Sequence, residues 1–110
     1  MKTDILDEFI KKDRLRREGL RKKAIAETRR ALMMLSGHIK FKKAYLFGSI
    51  LTDNFRETSD IDIAFEGLSD RDLVRAMAML SECLKRDVDI IQLEDSRLRE
   101  KVLRTGIRLI

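Results

Sequence analysis

The spacing of apolar residues changes near residue 43, and this change limits the folds that the chain can adopt. Over residues 4–36 the apolar side chains recur at helical spacing, which predicts either one long helix with an exposed middle or two shorter helices. From Lys43 onward they form short runs typical of strands, at 44–47, 60–65, 87–93 and 107–110. Two further helices are predicted, one at 70–84 that follows a capping box with Ser69 as its N-cap and one at 95–105. This order predicts an α/β (α+β) fold, with a mixed sheet of about four strands and flanking helices.

Length and composition favour one domain. A chain of 110 residues with 44% apolar residues can close one core, so we predict a single domain over 1–110, with a helical segment at 1–36 and a sheet-containing unit at 43–110. The only cysteine, Cys83, excludes an internal disulfide, and we expect it to be at least half-buried in its helix. No apolar run approaches the roughly 20 residues of a membrane-spanning helix. These features predict a cytoplasmic protein.

The net charge of +5 comes entirely from residues 1–36, which hold 11 Lys and Arg against 6 Asp and Glu. A basic helix can attract nucleic acid or an acidic protein surface. Only Phe9 is aromatic in this segment, so stacking on bases has no support. The segment has two apolar stripes, one near its start and one farther along. The first stripe is separate from the other and is available to another chain: Ile5, Leu6, Phe9 and Ile10. Formation of a homo-oligomer is therefore left open.

Acidic residues on two predicted strands indicate a metal site. Asp60 and Asp62 are two residues apart, so on one strand their carboxylates point to the same face. Neighbouring carboxylates repel unless a cation neutralises them, and hard oxygen ligands favour Mg²⁺ or Mn²⁺. Asp89 on a later strand would complete a three-carboxylate site, with Asp87, on the same face of that strand, as the alternative. Three acids can hold two metal ions about 3.5–4 Å apart.

A Gly-Ser pair at the end of the preceding strand indicates phosphate binding. Gly48 lets the backbone approach a phosphate closely, and exposed N–H groups in a turn bind anions. Ser49 adds a hydroxyl donor. The complete pattern is much more specific than any of its parts alone. It consists of Gly-Ser, ten intervening residues, Asp-x-Asp and a later Asp.

With these motifs at 44–49, 59–63, 87–90 and 103–106, the sequence resembles the minimal nucleotidyltransferases of the DNA polymerase β superfamily, which are found paired with HEPN proteins. The resemblance implies a polymerase-β-like palm over 43–110. It implies that Gly48 and Ser49 contact a nucleotide triphosphate and that Asp60, Asp62 and Asp89 hold two Mg²⁺ ions. Asp89 would also be the base that activates the acceptor hydroxyl.

One part of the family pattern is missing. After Gly-Ser the family usually continues x-Ala-Arg-Gly, whereas this chain has Ile50-Leu51-Thr52-Asp53. A positive contact near this loop is therefore missing, and either Arg56 replaces it or the activity is lower than in the family.

The resemblance also implies a function. We expect Mg²⁺-dependent transfer of a nucleotide monophosphate, AMP from ATP, to a hydroxyl of a partner protein, because about 70 residues of palm leave no room for an acceptor-binding domain. The implied partner is a HEPN toxin, which would make this chain its antitoxin. One alternative is a palm-fold module that masks its partner with little or no catalysis. Another is a nucleotidyltransferase that acts on a small molecule or on RNA.

Overall fold

The computed structural model describes residues 2–110, and side chains from Asp4 onward. Its helices are α1 (Lys2–Leu35), α2 (Leu73–Leu84) and α3 (Arg99–Thr105), and its strands are β1 (Lys43–Phe47), β2 (Ile61–Glu66), β3 (Val88–Gln92) and β4 (Ile107–Arg108). Short 3₁₀ helices occupy Gly48–Leu51, Asp70–Asp72 and Leu93–Asp95. The predicted order of elements is confirmed, with residues 4–35 in one helix. The last helix begins later than expected because a 3₁₀ turn precedes it.

The strands form one mixed sheet in the order β3-β2-β1-β4. β1 pairs with β2 and with β4 in antiparallel fashion, whereas β2 and β3 are parallel. A parallel pair requires a crossover, and α2 supplies it. Because Phe47 at the end of β1 lies opposite Asp62 near the start of β2, the Gly-Ser turn and the starts of β2 and β3 meet at one edge of the sheet.

Helices cover both faces of the sheet. On one face, α1 and α2 pack on alternate strand residues, with Leu32, Leu35 and Leu80 fully buried among them. On the other face Tyr45 and Ala64 pack beneath Val102 of α3. Cys83 is exposed, so the expectation that it is at least half-buried was wrong: it lies in the last turn of α2, beyond the buried residues of that helix.

Only the C-terminal half of α1 packs against the sheet. Its first buried side chain is Ala24, and residues 4–16 are exposed except for the half-buried Asp13. The free part of the helix gives the molecule a long dimension of 60 Å, against 28 and 18 Å in the other directions. Among residues 2–110, no helix has both the length and the apolar character needed to cross a membrane.

Candidate active site

The parallel pairing of β2 with β3 brings two of the predicted carboxylates together. Asp62 is the register partner of Asp89, and register partners in adjacent strands point to the same face. Asp60 is exposed and lies immediately before β2 rather than within it. Asp87 lies just before β3, where its carbonyl oxygen accepts a hydrogen bond from the Ile61 N–H at 3.0 Å. The register therefore places Asp89, and not Asp87, level with Asp62.

The Asp62 carboxylate lies in an unfavourable environment for its charge. Partial burial raises the pKa of Asp62 above its usual value, and the negative charges of Asp89 and Asp60 raise it further. A hydrogen bond from the backbone N–H of Ser49 opposes this shift. Asp60 and Asp89 are thus each close enough to Asp62 to repel its charge, and a cation beside Asp62 would relieve that repulsion.

The Gly-Ser turn packs directly against this carboxylate. Gly48 has a φ of +78°, a left-handed conformation that favours glycine, and a Cβ built on it would overlap Oδ2 of Asp62. The turn was expected to offer its N–H groups to an anion, and the N–H of Ser49 donates to the Asp62 carboxylate. Gly48 is therefore needed to seat Asp62 as well as to form the turn, a role that the sequence did not reveal.

A cavity of about 640 Å³ opens beside the turn. Gly48 and Ser49 line it on one side, and Lys101 and Thr105 of α3 line it on the other. The remaining lining residues are Phe47, Leu51, Thr52, Asn54, Leu98 and Val102. Lys101 supplies positive charge to a cavity with otherwise apolar and neutral polar walls. Lys101 could not be recognised from the sequence, because nothing in the local pattern shows that α3 packs beside the turn.

Arg56 lines a different cleft, together with Arg16 and Arg17 of α1. The expectation that it replaces the missing family arginine therefore has no support in the structure. Lys101 is the basic residue that lines the cavity beside the Gly-Ser turn.

Long-range contacts fix the loop that links the turn to the acids. Arg21 of α1 donates from Nε to the carbonyl oxygen of Ile50 at 2.7 Å. Farther along, Phe55 is buried, and the Arg86 guanidinium lies 5.2 Å from the centre of its ring. Arg86 also donates to the carbonyl oxygen of Ser59 at 3.1 Å. Helix α1 and the connection between α2 and β3 thus hold both ends of this loop.

The donor chemistry at this edge of the sheet suits a hard divalent cation. Asp60, Asp62 and Asp89 offer carboxylate oxygens, and the mutual repulsion felt by Asp62 is the electrostatic property expected of such a site. In the described part of the chain, no three His, Cys, Asp or Glu side chains are arranged as a preformed metal site. The three carboxylates therefore do not yet surround a common point. The residues therefore fit the cation by chemistry and by the pairing of Asp62 with Asp89.

Comparison with known proteins agrees with this geometry. Residues 32–110 match the family model described as polymerase beta, nucleotidyltransferase. A protein of Methanocaldococcus jannaschii named "Putative protein adenylyltransferase MJ0435" is 35% identical over 74 residues, covering 63% of this chain and 80% of the relative.

Two solved complexes contain a similar fold. One is a tri-AMPylated Shewanella oneidensis HEPN toxin in complex with an MNT antitoxin, with a TM-score of 0.61, 26% identity, and coverage of 79% of this chain and 71% of that chain. The other is a toxin–antitoxin with AMP-PNP, with a TM-score of 0.62, 27% identity, and coverage of 76% and 72%. The family match spans the whole sheet, the Gly-Ser turn and the three aspartates, and the chain therefore belongs to the polymerase beta nucleotidyltransferase family.

Proposed function

We propose that this nucleotidyltransferase transfers AMP from ATP to a hydroxyl group of a HEPN-type partner protein, and thereby acts as the antitoxin of a toxin–antitoxin pair. The observation that carries the proposal is the register pair of Asp62 and Asp89 beside the cavity at Gly48 and Ser49. The tri-AMPylated HEPN toxin and the AMP-PNP complex support AMP as the transferred group and ATP as its source.

The cavity is the proposed triphosphate site. The Ser49 hydroxyl and the open backbone at Gly48 would contact phosphate oxygens, and the Lys101 ammonium would offset their charge from α3. Lys101 would thus do the electrostatic work of the arginine that is missing after the Gly-Ser pair. The apolar walls leave space for the nucleoside.

The carboxylates are the proposed Mg²⁺ ligands, with Mn²⁺ as an alternative cation. Two ions held by Asp60, Asp62 and Asp89 would stabilise the charge that develops at phosphorus. Asp89 is exposed, so an acceptor from another chain can reach it. Its carboxylate would take the proton of the acceptor hydroxyl as the new O–P bond forms at the α-phosphorus and the bond to pyrophosphate breaks. Because the reaction consumes ATP, we propose that it takes place in the cytoplasm.

The proposal is tested by looking for a HEPN-type protein encoded next to this chain, co-expressing the two and measuring the intact mass of that protein. We expect the partner to gain one or more AMP units with the wild type and none with Asp62→Asn. Asp87→Asn is the matched control, because Asp87 is an exposed aspartate outside the register pair, and it should leave the mass gain intact.

The other outcomes identify the alternatives. Inhibition of the partner by both the wild type and Asp62→Asn, with no mass gain, would show a masking module. Incubation with ATP labelled at the α-phosphate, with Mg²⁺ or with EDTA, would show whether the label enters RNA or a small molecule instead. It would also show whether transfer requires the cation.

A further inference from the structure

The loop that follows the Gly-Ser turn forms one wall of the cavity. Its residues Leu51, Thr52 and Asn54 line the cavity together with Gly48 and Ser49. Within the loop, the carbonyl oxygen of Ser49 accepts hydrogen bonds from the N–H of Thr52 at 2.9 Å and from the Thr52 hydroxyl at 2.8 Å. These bonds join neighbouring residues, so they shape the loop but do not fix its position relative to the sheet.

Two arginines of α1 hold the loop from outside the cavity. Arg21 donates from Nε to the carbonyl oxygen of Ile50 at 2.7 Å, and Arg17 donates from Nη1 to the carbonyl oxygen of Asp53 at 3.4 Å. The two arginines are four residues apart, so they project from the same side of the helix. Asp13 lies one turn before Arg17 and pairs with its Nη2 at 2.8 Å. Helix α1 thus contacts the loop at two backbone oxygens.

The bond to Ile50 is the stronger of the two. Ile50 is 1% exposed, so its carbonyl group has little access to water. A buried carbonyl without a donor is costly, and a charged donor forms a stronger hydrogen bond than a neutral one. Loss of the Arg21 guanidinium should therefore shift the loop until the carbonyl finds another donor. Because Ser49 directly precedes Ile50, that shift moves Ser49 as well.

Both arginines lie outside the part of the chain that matches the family. That match begins at residue 32, after Arg17 and Arg21. The loop that they hold is also where the chain departs from the family pattern, with Ile50-Leu51-Thr52-Asp53 in place of x-Ala-Arg-Gly. These anchors therefore belong to the long first helix of this chain and not to the matched palm.

We propose that Arg21 is a positioning residue of the nucleotide site, with Arg17 as a weaker second anchor. Neither arginine lines the cavity, so both act through the loop and not on the nucleotide itself. Arg21 keeps Ser49 beside Asp62 and keeps Leu51 in the cavity wall, which makes α1 part of the site. The proposal rests on the proposed function, because it takes the cavity to be the triphosphate site.

Calorimetric titration of the full chain with AMP-PNP and Mg²⁺ tests this role. Arg21→Met removes the donor but keeps a side chain of similar length, and it should weaken binding about tenfold. Arg17→Met should weaken binding about two- to threefold, because its hydrogen bond is longer. Arg21→Lys keeps a charged donor and should bind more tightly than Arg21→Met. Lys22→Met is the matched control, because it removes the same charge from an exposed neighbour, and it should bind as the wild type does.

Ile39→Ala separates the position of the loop from the stability of the fold. Ile39 is 3% exposed and lies between α1 and β1, at the opposite end of β1 from the Gly-Ser turn. This variant should unfold at a lower urea concentration than the wild type and still bind MgAMP-PNP with wild-type affinity. Circular dichroism at the titration temperature checks that every variant is folded. Weaker binding by the folded arginine variants alone then reports on the loop.

Several results would overturn the role of Arg21. They are wild-type affinity in Arg21→Met, an equal loss in Lys22→Met, and an Arg21→Lys variant that binds no better than Arg21→Met. Lys101→Met separates this proposal from the proposed function, because Lys101 lines the cavity itself. If Lys101→Met binds weakly and Arg21→Met binds as the wild type does, the nucleotide site stands and the role of Arg21 is refuted. A wild type that does not bind MgAMP-PNP would overturn both proposals.

Discussion

Replacing Gly48 with alanine tests the close packing of the turn against Asp62. An L-residue at a φ of +78° costs about 1–2 kcal/mol. The added Cβ also forces the Asp62 side chain out of its position, which adds about 0.5–1.5 kcal/mol if it moves to a strained rotamer. We therefore expect Gly48→Ala to lower the free energy of unfolding by about 1.5–3.5 kcal/mol. Urea unfolding followed by circular dichroism measures this loss.

Gly67→Ala provides a matched control for backbone strain. Gly67 has nearly the same φ, +79°, but it follows the far end of β2, where a Cβ would come 2.9 Å from Cγ and 3.1 Å from the backbone N of Lys42. Gly67→Ala should therefore also destabilise the fold, by about 1–2 kcal/mol for the backbone conformation plus the cost of moving Lys42, and it should leave the binding of MgATP unchanged. Gly48→Ala should weaken MgATP binding in calorimetry as well, because Asp62 is displaced. The reasoning would be refuted if the two variants bound MgATP equally well, or if Gly48→Ala unfolded at the wild-type urea concentration.

Three further predictions concern the acids and the loop. Asp62→Asn should be more stable than the wild type, because the folded state disfavours the ionised Asp62 carboxylate. This stability difference should grow as the pH rises from about 3.8 through the raised pKa of Asp62 in the folded state. In thermal unfolding, Mg²⁺ should raise the Tm of the variant less than that of the wild type. Arg21→Met should raise the KM for ATP more than it lowers kcat in steady-state assays, because the Ile50 carbonyl loses its donor; an unchanged KM contradicts this. Phe55→Ala should lower the free energy of unfolding by about 3–5 kcal/mol in urea, and a loss under 1 kcal/mol would show that the loop is not anchored there.

The sheet was predictable because its strands have local signatures. Short apolar runs bounded by polar loops defined all four strands, and the Gly-Ser turn marked the end of β1. The choice between one helix and two at the N-terminus was not predictable. The structure shows that Gly19 lies in open space within α1, and its cost of about 1 kcal/mol relative to alanine is too small to end a helix.

The candidate site was only partly predictable, because its contacts join distant parts of the chain. The sequence favoured Asp89 over Asp87 but could not show which of them lies level with Asp62, whereas the structure makes Asp89 the register partner of Asp62 and places Asp87 just before β3. Lys101 and Arg21 were missed for the same reason. Lys101 reaches the site from α3. Arg21 reaches it from α1 and lies 29 residues before Ile50, whose carbonyl oxygen accepts its hydrogen bond. Their roles depend on tertiary packing that has no local pattern.

The contact between Gly48 and Asp62 also limits how the site can change by mutation. The turn proposed for phosphate and a carboxylate proposed for metal are one packed unit, so a larger residue at position 48 disturbs both in a single step. Such a change leaves the exposed residues 4–16 of α1, the outer surface of α2 and the rest of the sheet untouched. A chain with a disabled site and an intact outer surface is therefore one substitution away from this one. Residue 48 is accordingly the first position to compare when related chains are divided into catalytic ones and purely binding ones.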